Sequence, residues 1–188
     1  MRVVGGRLRS RPIAGPKSDG KSEGLRPTAD RLREALFNIL MHAYGDPVAG
    51  ARVLDLFAGT GALGIEAISR GAAYALFVDD GVPARALLRD NTETLGLGGL
   101  TRIFRRDATK LGPVAPLEPF TLVFLDPPYG KGLAEQALNS AREGGWLKPE
   151  ALVVVEEAAD AVFKAPEGFT ELERRQYDDT ELIFLRNI

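Results

Sequence analysis

Residues 55–64 read Asp55-Leu56-Phe57-Ala58-Gly59-Thr60-Gly61-Ala62-Leu63-Gly64, and they join an apolar run at 52–57 (RVLDLF) to a segment of helical spacing at 61–70. Glycines let backbone approach a ligand closely, and a helix starting at such a turn offers unpaired N–H groups. The stretch from Gly59 to Gly64 also matches the G-x-G-x-x-G pattern of dinucleotide-binding turns. Asp79 follows about twenty residues later, at the end of the next strand-like run, where a carboxylate can accept hydrogen bonds from a ribose. A nucleotide-like ligand with a ribose is therefore expected on this turn. Two identities stay open at this point. A dinucleotide would set its pyrophosphate on the helix start, and S-adenosylmethionine would set a cationic amino-acid group beside Asp55. The acid favours the second, because a carboxylate suits a cation better than a pyrophosphate. No Lys-Ser/Thr pair follows the glycines, so the turn is not a P-loop.

Outward from the turn, the chain alternates strand and helix. Strand-like runs lie at 52–57, 74–79, 101–106, 120–126 and 151–156, with helical segments near 61–70, 82–95 and 132–143. Continuous apolar strands separated by helices indicate an α/β fold, a parallel sheet covered on both faces. The end of the chain differs. Runs at 169–177 and 180–186 are joined by Asp178-Asp179, which predicts an antiparallel hairpin closing one edge of the sheet. The count comes to seven strands. Upstream, Leu32, Ala35, Leu36, Ile39, Leu40 and Ala43 recur at helical spacing behind Thr28, a candidate N-cap, and Gly45 and Pro47 end that helix. Residues 2–13 suggest a short hairpin or arm around Gly5-Gly6, and residues 14–27, rich in Gly, Pro, Ser and Lys, suggest a mobile loop. This divides the chain into a basic N-terminal appendage, 1–27, and an α/β domain, 28–188.

Composition removes several chemistries. The 188 residues include no cysteine and one histidine, His42. Disulfides, thiolate metal sites and a cysteine nucleophile are thereby excluded, the last removing RNA methyltransferases that attack a pyrimidine ring covalently. No metal is expected. No apolar run approaches a membrane span and no apolar signal segment opens the chain, so a cytoplasmic protein is expected. The net charge of −2 hides an asymmetry: residues 1–33 hold nine Lys/Arg against three acids, a net of +6, which leaves −8 for the remainder. Such a segment is either a solvated tail or an anion-binding edge that gains from counterion release on a polyphosphate. His42 reads as a helix-end residue near Tyr44, and Trp146 as packing.

The run at 120–126 ends in Asp126-Pro127-Pro128-Tyr129. Two prolines after a buried strand fix φ and remove backbone donors, so carbonyls and a carboxylate are held at the sheet edge where α/β ligands bind. A planar substrate carrying an NH2 group suits these residues. Asp126 and a proline carbonyl accept its two hydrogens, and Tyr129 stacks on its face.

Segments 55–61 and 126–129 together resemble the class I methyltransferases that modify exocyclic amines, whose catalytic tetrapeptide is [D/N/S]-P-P-[Y/F/W]. With Leu25-Arg26-Pro27-Thr28-Ala29-Asp30-Arg31 running into Arg33-Glu34-Ala35-Leu36-Phe37-Asn38-Ile39-Leu40, the chain more closely resembles the bacterial small-subunit ribosomal RNA guanine-N2 methyltransferases, the RsmD family. The tetrapeptide alone is shared with DNA and glutamine methyltransferases; its combination with the Arg-Pro-Thr helix start is far more specific. Two positions depart from the family pattern. Asp79-Asp80-Gly81 stands where relatives carry an acid and a charged pair, and Tyr177-Asp178-Asp179-Thr180 lacks the glycine usual before that threonine.

The resemblance implies a Rossmann-like, mostly parallel sheet with S-adenosyl-L-methionine across the C-terminal ends of its strands. Gly59 and Gly61, with Phe57, Ala58 and Thr60, would pass under the methionine part, with Asp55 near its ammonium. Asp79, with Asp80 beside it, would hold the ribose, and Asp107-Ala108 would meet the adenine. Asp126, Pro127, Pro128 and Tyr129 would hold the amine and stack on the base. Arg7, Arg9, Arg11, Arg26, Thr28 and Arg31 would contact ribosomal RNA, naked or within an assembling small subunit. The rivals are a DNA adenine-N6 or cytosine-N4 methyltransferase, a protein-glutamine methyltransferase, a nicotinamide oxidoreductase and a non-enzymatic ligand-binding module.

Overall fold

A computed structural model describes residues 1–16 and 26–188, with side chains from Ala29 onward in the second stretch. The expected loop at 17–25 lies outside the described residues, as do the side chains of Arg26 and Thr28. The elements run α1 (Arg26–Ala43), β1 (Arg52–Leu56), α2 (Ala62–Ser69), β2 (Tyr74–Val78), α3 (Val82–Thr94), β3 (Thr101–Phe104), β4 (Phe120–Leu125), α4 (Leu133–Glu143), β5 (Leu147–Ala158), β6 (Phe169–Tyr177) and β7 (Thr180–Asn187). They build one seven-stranded sheet in the order β3-β2-β1-β4-β5-β7-β6. The first five strands pair in parallel, and β7 pairs antiparallel with both β5 and β6.

Side chains alternate between the two sheet faces, so each face gathers its own core. One carries Val53, Phe77, Phe124, Val154 and Phe184, packed against Leu36, Phe37, Ile65, Ile68 and Leu88 of α1, α2 and α3. The other carries Leu54, Leu56, Val123, Val155 and Leu185 against Ala134, Ala137, Leu138 and Ala141 of α4. Trp146 is fully buried on that second face and donates its indole N–H to Gly112 O at 2.7 Å, a packing residue as its sequence context suggests. His42 is exposed on the last turn of α1.

Two local details differ from the sequence-based expectations, and a third shows how the chain does without a glycine in its last turn. Helix α1 starts at Arg26, which places Thr28 in its first turn and not at the cap. Strand β5 begins at Leu147, four residues early. Pro149 and Glu150 (φ 66°) interrupt its pattern, and the β4–β5 register shifts between Phe120 and Leu122. In the closing turn Asp178 takes φ 51°, the left-handed conformation a glycine would otherwise supply and that aspartate tolerates.

The basic arm is neither free nor a regular hairpin. Its only described bridge is Arg2 to Pro12, yet Val3, Leu8 and Ile13 are buried in the α1–α2–α3 core. Glu66, fully buried on α2, accepts the N–H groups of Val4 at 2.8 Å and Gly5 at 2.9 Å. The same carboxylate pairs with Arg33 of α1 at 3.0 Å and with Arg70 at 2.8 Å. Asn91 of α3 exchanges two hydrogen bonds with Ala14 and donates a third to Thr60 O, so one side chain ties the arm to the glycine turn. These contacts remove the solvated-tail reading for residues 1–14.

Candidate active site at the C-terminal edge of the sheet

The strand order reverses between β1 and β4, where α/β sheets leave a crevice at their carboxyl ends. A cavity of about 390 Å³ opens there, lined by Asp55, Phe57, Ala58, Gly59 and Thr60, by Asp126 and Glu156, and by Met1, Leu32 and Arg33 from the arm and α1. A neighbouring cavity of about 250 Å³ holds Asp79, Asp80, Asp107, Ala108 and Pro128, and Phe57 borders both. Phe57 has φ 56°, a strained conformation for a non-glycine residue, as is often found where a backbone is held for a ligand.

The glycines of the turn serve different ends. Gly59 has φ 58°, borders the cavity and has nothing within 4 Å of the position its Cβ would take. Gly61 has φ 83°, and its Cβ would lie 2.7 Å from Leu88 Cδ2 and 3.3 Å from Phe77 Cε1. Gly64 would meet Phe77 Cε1 at 2.4 Å. Gly61 and Gly64 let α2 pack against the sheet and α3, whereas Gly59 faces open space.

Acids surround the turn. Asp55 is 1% exposed and accepts the Gly64 N–H at 3.1 Å. Burial pushes its carboxyl up to about 8, with the Gly64 N–H pulling the other way and the Asp79 charge adding to the rise. Asp79 takes the Gly59 N–H with one oxygen and the Gly81 N–H with the other, each at 2.9 Å. Asp107 is exposed; its Oδ1 accepts both the hydroxyl and the N–H of Thr109, which lowers its pKa and turns the 107–109 backbone toward the second cavity.

At the end of β4, Asp126 opens onto the first cavity. Asp126 is exposed to solvent at the cavity mouth yet crowded by protein around its carboxyl; that partial desolvation, then the charges of Glu156, Asp55 and Glu157, push its carboxyl above the ordinary range. Pro127 is buried and Pro128 lines the second cavity. Tyr129 is 44% exposed, and its hydroxyl lies 3.3 Å from both Glu156 Oε1 and Thr180 Oγ1. Desolvation is the main cause of a phenol pKa pushed up to about 12. Gly130 N–H donates to the buried Glu157 at 3.1 Å and anchors the loop beyond the tyrosine.

The structure thus gathers Asp55, Phe57, Ala58, Gly59, Thr60, Asp79, Asp80, Asp107, Ala108, Asp126 and Pro128 along one edge, with Tyr129 at its rim. Arg7 and Arg9 are exposed, and their side chains have no hydrogen-bond or ion-pair partner among the described residues. Arg11 reaches Thr94 O at 3.3 Å, and Arg31 is exposed on α1. Glu156, Arg33 and Leu182 were not singled out in the sequence. Each is brought to the cavity by a tertiary pairing with no local signature.

The family model described as conserved hypothetical protein 95 matches residues 1–186. Ribosomal RNA small subunit methyltransferase D of Escherichia coli (strain K12) is 40% identical over 156 residues, which is 83% of this chain and 74% of that protein. The protein of the same name from Haemophilus influenzae is 37% identical over 177 residues, 93% of this chain and 88% of that one. The solved structure of yhhF from Escherichia coli superposes with a TM-score of 0.80 at 33% identity, covering 100% of this chain and 97% of that one.

Proposed function

The chain belongs to the conserved hypothetical protein 95 family, it is an S-adenosylmethionine-dependent methyltransferase of small-subunit ribosomal RNA, and we propose that the atom it methylates is the exocyclic N2 of a guanine. One observation carries the reading: Asp126, followed by two prolines and Tyr129, opens into the same cavity as the glycine turn and the buried Asp55.

The residues fit the cofactor. Asp55 is a buried acid whose partner among the described residues is the Gly64 N–H, with no cation among them, which suits an ammonium group. Gly59 presents bare backbone to open space. Asp55 would hold the amino-acid end, with Phe57, Ala58, Gly59, Thr60 and Gly61 forming the turn beneath it. Asp79, with Asp80 adjacent, would take the ribose hydroxyls, and Asp107 and Ala108 the adenine. The bound cofactor supplies a sulfonium methyl, which is already a strong electrophile. The protein's task is then to orient the nucleophile for in-line attack. A guanine N2 lone pair is delocalised into its ring, and hydrogen bonds from the amine to Asp126 and the Pro127 carbonyl would localise it and stabilise the positive charge that develops. Tyr129 would hold the base swung out of its stack, between its ring and the cavity.

Residues 1–27 form the RNA-gripping part of this reading and residues 28–188 the methyltransferase domain. Arg7, Arg9 and Arg11, with Arg26, Thr28 and Arg31, would contact phosphates of a folded RNA within an assembling small subunit. The test is methyl transfer from labelled cofactor to small-subunit rRNA, followed by digestion to nucleosides and mass spectrometry. N2-methylguanosine is expected. Label in an adenine or cytosine amine would overturn the assignment.

A further inference from the structure

Glu156 stands one residue beyond the last β4–β5 pair, Leu125 with Val155, and Asp126 stands one residue beyond it on the other strand. The two are therefore register neighbours at the carboxyl ends of adjacent parallel strands, whose axes lie about 4.8 Å apart. Asp55 pairs with Phe124, Phe124 with Val154, and side chains two residues apart share a face, so Asp55, Asp126 and Glu156 all project to the α1 side of the sheet. Glu156 lines the same cavity as Asp126. Its Oε1 lies 3.3 Å from the Tyr129 hydroxyl, which steadies the carboxylate beside the ring proposed to hold the base. It has no cationic partner among the described residues. Arg33, the guanidinium in that cavity, is committed to Glu66, Asp30 and the Arg2 carbonyl.

A pair of acceptors side by side, next to an aromatic face, matches a two-donor edge. Of the three bases with an exocyclic amine, only guanine carries a hydrogen on the ring nitrogen next to that amine along its pairing edge. Adenine and cytosine present a lone pair there, which a carboxylate repels. We infer that Glu156 is a specificity-determining residue that accepts the guanine N1–H while Asp126 holds N2. This inference rests on the guanine-N2 reading above. It assigns the choice of base to β5, and the handling of the amine to β4. Rejection of the wrong base then comes from an unpaired acceptor facing a lone pair, which discriminates far better than shape alone.

The test uses small-subunit rRNA whose target guanine, once mapped, is replaced by 2-aminopurine through splinted ligation. That base keeps the amine at the same carbon but has a lone pair at N1. The wild type should prefer guanine in kcat/KM by about thirtyfold or more. In Glu156→Gln the amide can donate to the bare N1, and the preference should fall at least about tenfold. Glu156→Ala, with neither donor nor acceptor, should fall in between. Cofactor affinity, measured by calorimetry, should match the wild type in both variants and reports that they are folded. Should turnover be too low to compare, the ratio of RNA dissociation constants from competition binding gives the same comparison. A preference unchanged in both variants overturns the role of Glu156, while wild-type formation of N2-methylguanosine keeps the underlying reading intact. Failure of the wild type to make N2-methylguanosine overturns that reading instead.

Discussion

Asp79 Oδ2 accepts the N–H of Gly59 at 2.9 Å, which ties the end of β2 to the turn that follows β1. Its other oxygen holds Gly81 at the start of α3. The acid proposed to hold the ribose thus also braces the turn proposed to carry the cofactor, and one carboxylate ties both walls of the candidate site. Asp79→Ala should weaken S-adenosylmethionine binding about 10- to 100-fold, the range for loss of charge-assisted hydrogen bonds. Asp79→Asn retains an acceptor and should fall between. Wild-type affinity of a folded Ala variant in calorimetry would separate this acid from the site.

Gly59 and Gly61 should respond differently. Gly61→Val drives methyls into Leu88 and Phe77 at a positive φ, and should cost about 2–4 kcal/mol of stability. Gly59→Ala meets no atom, so it should cost only about 1–2 kcal/mol for its backbone while impairing cofactor binding. Denaturant titration with parallel calorimetry separates the two effects. A Gly61→Val protein as stable as the wild type would contradict the packing argument.

Asp55 sets a pH dependence. Its carboxyl, near 3.8 when unfolded, is raised to about 8 in the fold. The folded chain therefore keeps a proton that the unfolded chain has lost. Stability from this group is full below about pH 4 and declines to nothing as pH rises through about 8, a loss on the order of several kcal/mol. Asp55→Asn should flatten that decline. An incoming ammonium favours the ionised form, so cofactor binding at pH 7 should expel up to one proton in the wild type and none in Asp55→Asn. Calorimetry in buffers of different ionisation enthalpy measures the number released, and equal proton release by both proteins would refute the assignment.

Much of this arrangement is legible in local sequence, and the exceptions share a cause. The strands at 52–57, 74–79 and 120–126 announce themselves because a parallel strand buried on both faces is a continuous apolar run. The turn and the tetrapeptide are contiguous, so their chemistry survives without a structure. Glu156 becomes a neighbour of Asp126 only through strand register across about thirty intervening residues, which no periodicity records. The early start of β5 is hidden by Pro149 and the left-handed Glu150. The docking of the arm depends on Glu66, an acid that looks solvent-facing in a short helix and is instead wholly buried by Arg33, Arg70 and two backbone amides.

Asp126→Asn and Asp126→Ala should each cut single-turnover methylation by ~10²-fold or more, about 2.7 kcal/mol of transition-state stabilisation. Asparagine keeps one acceptor oxygen but loses the charge and turns an NH2 toward the substrate amine. Cofactor affinity should change little. If the carboxylate also takes the proton, the wild type will show a pH–rate limb, displaced upward from the ordinary carboxylate range, that both variants lack. Near-wild-type turnover by Asp126→Ala would reduce the Asp-Pro-Pro-Tyr segment to scaffold.

Arg7 and Arg9 project from a docked backbone, held by Arg7 N–H to Ser69 O at 2.9 Å and Leu8 N–H to Ser69 Oγ at 3.0 Å. Changing Arg7, Arg9 and Arg11 to Ala should weaken RNA binding and lower the log–log salt slope by roughly 0.7–0.9 for each phosphate that the arm no longer neutralises. Cofactor affinity and thermal stability should hold. An unchanged slope would mean that RNA is gripped elsewhere.

Strand β7 follows β6 along the chain but does not lie beyond it in the sheet: it sits between β5 and β6, with Ile183, Phe184 and Leu185 wholly buried. During synthesis, β6 therefore emerges with no partner to pair with, and β5 waits with one edge bare. A product cut short before Thr180 would lack the strand that joins β6 to the rest of the sheet, leaving β6 unpaired and the β5 edge open, the form in which strands join those of other chains. Emergence of β7 and completion of the sheet are thus a single event, so β6 gains its partner strand and β5 loses its bare edge at the same moment.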